Sequence, residues 1–359
     1  MPSSTLIANV KDALFGAKGD GVTDDTKAIQ KAVDAVGGKG GTVQVPDGIY
    51  LVNALAQSGR NGIVLRNNMT LRLSGGAVLK VIPNSAQSYT LLAVTSVSHV
   101  NIVGGTLEGD RSTHIGTAGE GGMGIQIQDS QHIVVQGVLA RECRSDGFYI
   151  TNTNTDVTFC RVGADHNRRQ GMSIVGGTGI LVKDSTFSNT GGILPEYGID
   201  IEPNPGETVS HITISGCTFT GNAGGGLAAG PAFVNRASAF VTQLLITGNT
   251  FAGNGVGGIN PSDGVGVGVS ACDGTTVSNN IVSTTAGNGI VLRSQATHTT
   301  VSGNTATQNS VDGIYLEDCA GSVVSSNTAT GNGGYGIHNV AGSGATLSGN
   351  TVYGNGRAP

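Results

Sequence analysis

The sequence has no tryptophan, few aromatic residues (4%) and few charged residues (12%). In their place it has 60 glycines among 359 residues and many short runs of valine, isoleucine and threonine. Glycine does not recur at every third position, which excludes a collagen triple helix, and the β-branched content is too high for a disordered chain. Short β-branched runs separated by Gly and Asn are typical of a β-protein with many tight turns.

Further absences narrow the function classes. No apolar stretch reaches the length of a membrane span, and the first residues, MPSSTLIANV, lack the basic start and apolar run of a signal peptide. A net charge of −5 without a basic run argues against a nucleic-acid partner. The five cysteines are an odd number without a pairing pattern, so we expect no disulfide framework. No Cys or His spacing predicts zinc.

A repeat runs through the chain from about residue 99. Its clearest copies place Asn304, Asn327 and Asn350 at intervals of 23 residues, and each copy has a second Asn, at positions 309, 332 and 355. A period this short without a helix predicts a solenoid, whose short parallel strands stack on the next coil about 4.8 Å away. The asparagines are expected at turns, where their amides bond to adjacent coils as a structural ladder. Cys217 occupies the Asn slot of its own coil and is expected to be a buried small residue.

The N-terminal region differs from the repeat. The segment TDDTKAIQKAVDAV has apolar residues at helical spacing, with Thr23 or Asp24 as the expected N-cap. A short helix of this kind closes the open end of a solenoid core. We therefore expect one all-β domain over residues 1–359, with a capping region at 1–50 and regular coils at 99–359.

The segment FGAKGDGVTDDTKAIQKAVDA, followed by GGTVQVPDGIY, resembles the N-terminal cap of the pectate-lyase-like superfamily of right-handed parallel β-helices. That group includes rhamnogalacturonan- and alginate-modifying enzymes and phage tailspikes. The resemblance implies a right-handed parallel β-helix of about ten or more coils. It also implies a polysaccharide held along an outer groove, an extracellular or cell-surface location, and either a monomer or a homotrimer. It is less informative about the reaction, because one fold hosts many functions.

Aligning the coils on the Gly that opens each strand places polar residues in one outward column. The column contains Gln126, Tyr149, Ser173, Asp200 and Ala228. Polar residues concentrate on these central coils, and later coils are expected to contribute little. This concentration predicts a site on one outer wall.

The stretch EYGIDIEPNP carries two carboxylates, Asp200 and Glu202, between isoleucines that point the other way. Residues two apart on a strand are roughly 6.5–7 Å apart at Cα. That spacing is compatible with the catalytic carboxylates of either retaining or inverting glycoside hydrolysis. The alternative is a structural ion pair with Arg168 or Arg169.

Other side chains near these coils are further candidates. Arg168 and Arg169 are expected to bind an acidic sugar or a protein carboxylate, and Tyr149 is a candidate acid or base, or a packing residue. The remaining candidate substrate-binding residues are Asp146, Glu196, Tyr197, His114 and Arg111, of which the last two lie in the polar loop 104–124. Calcium near Asp146, Glu196 and Asp200 is a further hypothesis, since hard oxygen ligands could converge there. An insertion at 231–243 could overhang the same groove.

Three function classes follow. The first is an enzyme that cleaves an acidic polysaccharide, with Asp200 and Glu202 as acid and base or nucleophile. Within this class, a polysaccharide lyase or C5-epimerase that uses tyrosine and arginine is the closest alternative to a hydrolase. The second class is a non-catalytic glycan-binding or tailspike-like protein, and the third is a purely structural solenoid.

Overall fold

The computed structural model describes residues 6–231, 240–256 and 264–358. The chain divides into two compact units, Met1–Arg169 and Gln170–Pro359, called here the N-terminal and C-terminal units. The expected single domain therefore stays a prediction. Part of the insertion at 231–243 lies outside the described residues, at 232–239, and residues 240–243 belong to a strand.

Within its described residues, the N-terminal unit contains one helix and sixteen strands. The helix α1 is Thr26–Val36, and the strands are β1 Ile7–Asn9, β2 Asp20–Asp24, β3 Gly41–Val45, β4 Gly48–Val52, β5 Asn61–Val64, β6 Met69–Leu73, β7 Ala77–Val81, β8 Thr90–Thr95, β9 Ser98–Val103, β10 Thr106–Glu108, β11 Met123–Gln128, β12 Gln131–Gln136, β13 Leu139–Arg141, β14 Phe148–Thr151, β15 Thr155–Cys160 and β16 Gly163–Asp165. They form three parallel sheets, β1-β3-β6-β9-β12-β15, β2-β4-β7-β10-β13-β16 and β5-β8-β11-β14. The four coils from β3 to β14 each give one strand to each sheet.

Helix α1 packs its apolar stripe into the end of this unit. Ile29, Ala32, Val33 and Val36 are buried, and the predicted helix is confirmed. The predicted N-cap is wrong, since Thr23 and Asp24 belong to β2 and Asp25 is the N-cap residue. The Asp25 carboxylate instead accepts hydrogen bonds from the backbone N–H groups of residues 18 and 19, which ties the preceding loop to the helix start.

The C-terminal unit contains 22 strands among its described residues. They are β17 Met172–Ile174, β18 Gly177–Lys183, β19 Thr186–Ser188, β20 Tyr197–Ile201, β21 Thr208–Ser215, β22 Thr218–Thr220, β23 Gly225–Ala229, β24 Phe240–Thr247, β25 Thr250–Ala252, β26 Val265–Ser270, β27 Cys272–Asp273, β28 Thr276–Ser278, β29 Ile281–Ser283, β30 Asn288–Arg293, β31 Thr300–Ser302, β32 Thr305–Thr307, β33 Ile314–Leu316, β34 Val323–Ser325, β35 Thr328–Thr330, β36 Ile337–Asn339, β37 Thr346–Ser348 and β38 Thr351–Tyr353. Three parallel sheets again form, β18-β21-β24-β28-β31-β34-β37, β19-β22-β25-β29-β32-β35-β38 and β17-β20-β23-β26-β30-β33-β36, with β27 beside β24. The predicted all-β coils are confirmed.

The core of the C-terminal unit stacks like residues in register. Phe187, Phe219 and Phe251 form a column with ring centroids 5.2 and 4.4 Å apart. Such stacks bury large apolar areas without any polar atom.

Asparagines form the two predicted ladders, and all of them except the last rung of each ladder are buried. In the first, the side-chain amide of each Asn donates to Oδ1 of the next Asn at 2.9–3.0 Å, through Asn249, Asn280, Asn304, Asn327 and Asn350. The second links Asn309, Asn332 and Asn355 in the same way. The ladder satisfies turn amides that would otherwise be buried without partners.

The five cysteines are all free and buried. Cys217 continues the first ladder, because its backbone N–H donates to Oδ1 of Asn249 at 2.9 Å. Burial raises the pKa of its thiol to about 11. The expectation of no disulfide framework and of a buried Cys217 is confirmed.

The Gly that opens each strand of the third sheet in the C-terminal unit faces the interior at a corner. A Cβ at Gly198 would lie 2.8 Å from Phe219 Cδ1 and 3.0 Å from Asn222 Nδ2. A Cβ at Gly313 would lie 2.7 Å from Asn332 Nδ2. Glycine is therefore required where the coil turns its backbone against the ladder. In the described parts of the chain, no helix has the length and apolarity needed to cross a membrane.

Candidate active site

The predicted outward column is confirmed within the C-terminal unit. Strand pairing places Ser173 beside Asp200 and Asp200 beside Ala228. Ile199 and Ile201 are fully buried on the other face. Asp200 therefore lies on the outer wall of β20, although neighbouring atoms leave it only 5% exposed.

Tyr197 shares the outer wall with Asp200. Gly198 and Ile199 both face the core at the corner, so simple alternation fails there and residues 197 and 200 face outward. The Tyr197 ring lies over Gly225 of the next coil, where a Cβ would come within 2.6 Å of the ring. A phenol and a carboxylate thus stand on one surface of a single strand.

Gln170 joins these two residues. Its side-chain amide donates to Oδ2 of Asp200 at 2.6 Å, and its side-chain carbonyl accepts the backbone N–H of Tyr197 at 2.7 Å. Gln170 is fully buried, so its amide orientation is fixed by these two bonds. No role was predicted for Gln170 from the sequence, and its position directly before the opening Gly of its coil is the signal that could have identified it.

Glu202 and Glu196 flank β20. Glu202 is half-buried, and its backbone N–H donates to Ile174 O at 3.0 Å, which extends the pairing beyond the strand end. Glu196 Oε1 accepts the backbone N–H of Gly192 at 2.6 Å. This contact ties Glu196 to the loop before the strand, and its role in substrate binding stays a prediction.

In the N-terminal unit, the column is likewise in register. Strand pairing places Gln126 beside Tyr149, and Tyr149 is half-buried on the outer wall of β14. Its role as an acid or base stays a prediction.

Arginines of the N-terminal unit contact the polar loop. Arg169 Nη1 lies 3.4 Å from Asp146 Oδ2, and its Nε lies 3.8 Å from Glu120. Arg168 donates to the backbone carbonyl of Gly119 at 3.4 Å. Asp146 is fully buried, where an uncompensated carboxylate would be costly. These contacts hold the loop against the wall, and the role of either arginine in substrate binding stays a prediction.

Arg144 places a buried guanidinium beneath this loop. It is 3% exposed and donates to Thr117 O at 2.9 Å. Its Nη1 is buried without a hydrogen-bond partner among the described residues. Arg144 occupies the same position in its coil as Arg168, but no specific role was predicted for it from the sequence.

The loop residues His114 and Arg111 occupy different positions. His114 Nδ1 lies 2.9 Å from Asp110 Oδ2, and its side chain is only 2% exposed. Asp110 also accepts hydrogen bonds from the Tyr89 hydroxyl and from Asn84, and burial together with the Asp110 charge raises the pKa of Tyr89 above its usual range. Arg111 donates to His166 O at 2.5 Å and anchors the start of the loop. Their substrate-binding roles stay predictions.

No group of three or more His, Cys, Asp or Glu side chains within the described residues is placed to hold a metal ion. The calcium hypothesis stays a prediction.

Residues 7–226 match the family described as rhamnogalacturonase A/epimerase, pectate lyase-like, and residues 196–352 match the right-handed β-helix region. The chain is similar to the uncharacterized protein YclG of Bacillus subtilis, with 31% identity over 223 residues, which cover 55% of this chain and 38% of YclG. It is also similar to mannuronan C5-epimerase AlgE6 of Azotobacter vinelandii, with 32% identity over 183 residues, which cover 47% of this chain and 21% of the epimerase. The aligned regions thus span well under half of these relatives.

Solved structures show the same fold. The A-module of AlgE6 superposes with a TM-score of 0.70 at 23% identity, covering 98% of this chain and 99% of the module. The Dettilon tailspike protein superposes with a TM-score of 0.69 at 16% identity, covering 95% of this chain and 68% of the tailspike. The right-handed parallel β-helix is therefore confirmed.

Proposed function

Because the chain belongs to the rhamnogalacturonase A/epimerase, pectate lyase-like family, we propose that it acts on an acidic polysaccharide by removing the C5 proton of a uronic acid unit. Proton removal at this carbon is the shared first step of a lyase and a C5-epimerase. Relatives of 31–48% identity include a mannuronan C5-epimerase and an alginate lyase of Azotobacter vinelandii, which supports this reaction class.

The observation that carries the proposal is the placement of Tyr197 and Asp200 on one outer surface, joined through the buried amide of Gln170. A tyrosine and a carboxylate in one site can act as acid and base, provided that both reach the same sugar. In a lyase, the base takes the C5 proton and the C4–O bond breaks to leave a C4–C5 double bond. In an epimerase, a proton returns to the opposite face of C5.

Hydrolysis by Asp200 and Glu202 is the second candidate. It is favoured by the two carboxylates at alternate positions, whose Cα atoms are roughly 6.5–7 Å apart. A non-catalytic glycan-binding protein is the third candidate, since a tailspike shares the fold.

One assay distinguishes these candidates. The chain is incubated with neutral and uronic-acid polysaccharides in deuterated buffer, with and without chelator. Ultraviolet absorbance of an unsaturated product indicates a lyase, and deuterium at C5 without cleavage indicates an epimerase. New reducing ends with neither signal indicate hydrolysis and contradict the proposal. Retention on a glycan column without turnover indicates the binding class.

Variants locate the site. Tyr197→Phe and Asp200→Asn should each lower turnover by about 100-fold or more, because each removes one proton-transfer group. Glu202→Gln should have the same effect only if the reaction is hydrolysis. Tyr353→Phe and Asp184→Asn change exposed residues elsewhere in the C-terminal unit and should keep full activity. Full activity in the Tyr197 and Asp200 variants would refute the site.

A further inference from the structure

The outward column that contains Asp200 continues to the last coils. Pairing in the C-terminal unit connects Asp200 to Ala228, Gly268, Val291, Tyr315 and His338 in sequence. Five coil steps of about 4.8 Å place His338 about 24 Å from Asp200 along this face. The next two positions of the column are Ala228 and Gly268, which have the smallest side chains.

An open cavity of about 470 Å³ lies at the far end of the column. Its lining includes Arg293, Asp312, Tyr315, Glu317, His338 and Arg357. This volume is within the usual range for small-molecule sites. The expectation that later coils contribute few polar residues is therefore wrong, because Tyr315 and His338 stand in the outward positions of β33 and β36.

Asp312 fixes the geometry of one wall. Its Oδ2 lies 2.8 Å from His338 Nδ1, and its Oδ1 accepts the backbone N–H of Tyr335 at 2.7 Å. The backbone N–H of Asp312 donates to Asn288 Oδ1 at 3.0 Å. Asp312 is 5% exposed, so its carboxylate serves this internal network. The imidazole is thereby oriented with Nδ1 occupied and Nε2 left for another partner.

In the described part of the chain, the two arginines that line the cavity, Arg293 and Arg357, are not paired with a carboxylate as His338 is with Asp312. Neither Arg293 nor Arg357 has a carboxylate oxygen within 4.0 Å among the described residues. The Arg357 guanidinium lies 5.5 Å from the centroid of the Tyr335 ring, a cation–π contact that holds it at the cavity edge. Guanidinium groups without a protein carboxylate are suited to a carboxylate from a ligand.

Aromatic rings form the rest of the wall. The Tyr315 and His338 rings meet edge to face with centroids 5.2 Å apart, and the Tyr335 ring lies 4.5 Å from that of His338. Burial and the Glu317 carboxylate raise the pKa of the Tyr315 hydroxyl. Rings with a polar edge can pack on a sugar and bond to its hydroxyl groups.

We propose that this cavity is a distal binding site for a carboxylate-bearing sugar unit of an acidic glycan, held by Arg293 and Arg357 against Tyr315 and His338. It lies on the same face as Asp200, so one extended chain can contact both. The substrate class is shared with the proposed function, but binding here does not require any reaction at Asp200.

Calorimetric titration with uronic-acid oligosaccharides of increasing length tests the site. Arg293→Gln and Arg357→Gln should each weaken binding of the longer oligosaccharides by about 10-fold or more, because each removes a charged hydrogen-bond donor. Arg161→Gln, an exposed arginine of the N-terminal unit, is the matched control and should bind as the unchanged chain does. Neutral oligosaccharides of equal length should bind weakly in every case.

Two further measurements separate this proposal from the proposed function. In an Asp200→Asn background, oligosaccharide binding should persist and remain sensitive to Arg293→Gln. In the unchanged chain, the oligosaccharide should shift the imidazole NMR signals of His338, assigned by His338→Gln, more than those of the other six histidines. The proposal is overturned if both arginine variants bind as the control does, if neutral and acidic oligosaccharides bind equally, or if the His338 signals do not move. If the unchanged chain shows no turnover of any polysaccharide but none of these three outcomes is observed, only the proposed function is refuted.

Discussion

The buried amide of Gln170 donates to Oδ2 of Asp200 at 2.6 Å across one coil step. Both side chains are buried away from water, and each would lack this hydrogen-bond partner without the other. The bond therefore both orients and stabilises the carboxylate. Hydrogen bonds to charged groups contribute about 1.5–3 kcal/mol.

Gln170→Met should therefore lower kcat by about 10- to 100-fold with little change in KM, since Asp200 loses its orienting donor. Gln170→Glu should be more damaging at neutral pH, because two carboxylates would face each other. Its activity should partly recover on acidification, when a protonated Glu can donate again. A purely structural role for Gln170 would give parallel losses in both variants at every pH.

Asn304 occupies an interior rung of the first ladder. Its amide donates to Val277 O at 2.8 Å and to Asn327, while its Oδ1 accepts from Asn280. Asn304→Ala should reduce the free energy of unfolding by about 2–4 kcal/mol, because several buried groups lose partners. Asn355→Ala, at the half-buried last rung of the second ladder, should have a smaller effect. Denaturant titration measures both, and equal losses would contradict the ladder's role.

Gly313 lies at the corner where the chain enters β33. A Cβ there would lie 2.5 Å from Gly336 O and 2.7 Å from Asn332 Nδ2, so Gly313→Ala should cost about 1–3 kcal/mol. Gly75→Ala is the matched control, since a Cβ there has nothing within 4 Å and the change should stay within about 0.5 kcal/mol. Thermal unfolding compares the pair. If Gly313→Ala left the stability unchanged, the backbone at the corner would be able to relax around the added methyl group.

Phe219 lies between two other rings of the buried column. Phe219→Ala should reduce the free energy of unfolding by about 3–5 kcal/mol through the cavity it leaves. Phe240→Ala removes the same side chain from a site where it is 51% exposed and should cost far less. Hydrogen exchange of the flanking coils should rise only in the first variant. If both variants lost the same free energy of unfolding, the buried ring stack would contribute no more to stability than a half-exposed phenylalanine does.

The sequence predicted the periodic parts of the fold well. Asn304, Asn327 and Asn350 are 23 residues apart because each coil of this stretch has 23 residues and contributes one asparagine to the ladder. The coil length, the ladder and the strand register therefore follow from the sequence spacing. Helix α1 was predicted from its apolar spacing. Its N-cap was not, because the Asp25 carboxylate makes tertiary bonds to residues 18 and 19 instead of a local cap.

The candidate site was less predictable. Tyr197 was selected from its place directly before the opening Gly, although strict alternation along β20 would put it in the core with Ile199. The Gly198 corner, where two successive residues face inward, turns its ring outward. The contacts of Arg144 and Arg169 depend on how an irregular loop folds back, which no periodicity encodes. Tyr315 and His338, in contrast, could have been read from the column, had it been followed beyond the central coils.

The first asparagine ladder has a direction, because every side-chain amide from Asn249 to Asn327 donates toward the next coil. Four aligned dipoles in series polarise one another, so each added bond strengthens those already made. Adding further asparagines to this ladder should therefore be cooperative. Substitution of an asparagine in the middle of the ladder should weaken the hydrogen bonds on both sides of it.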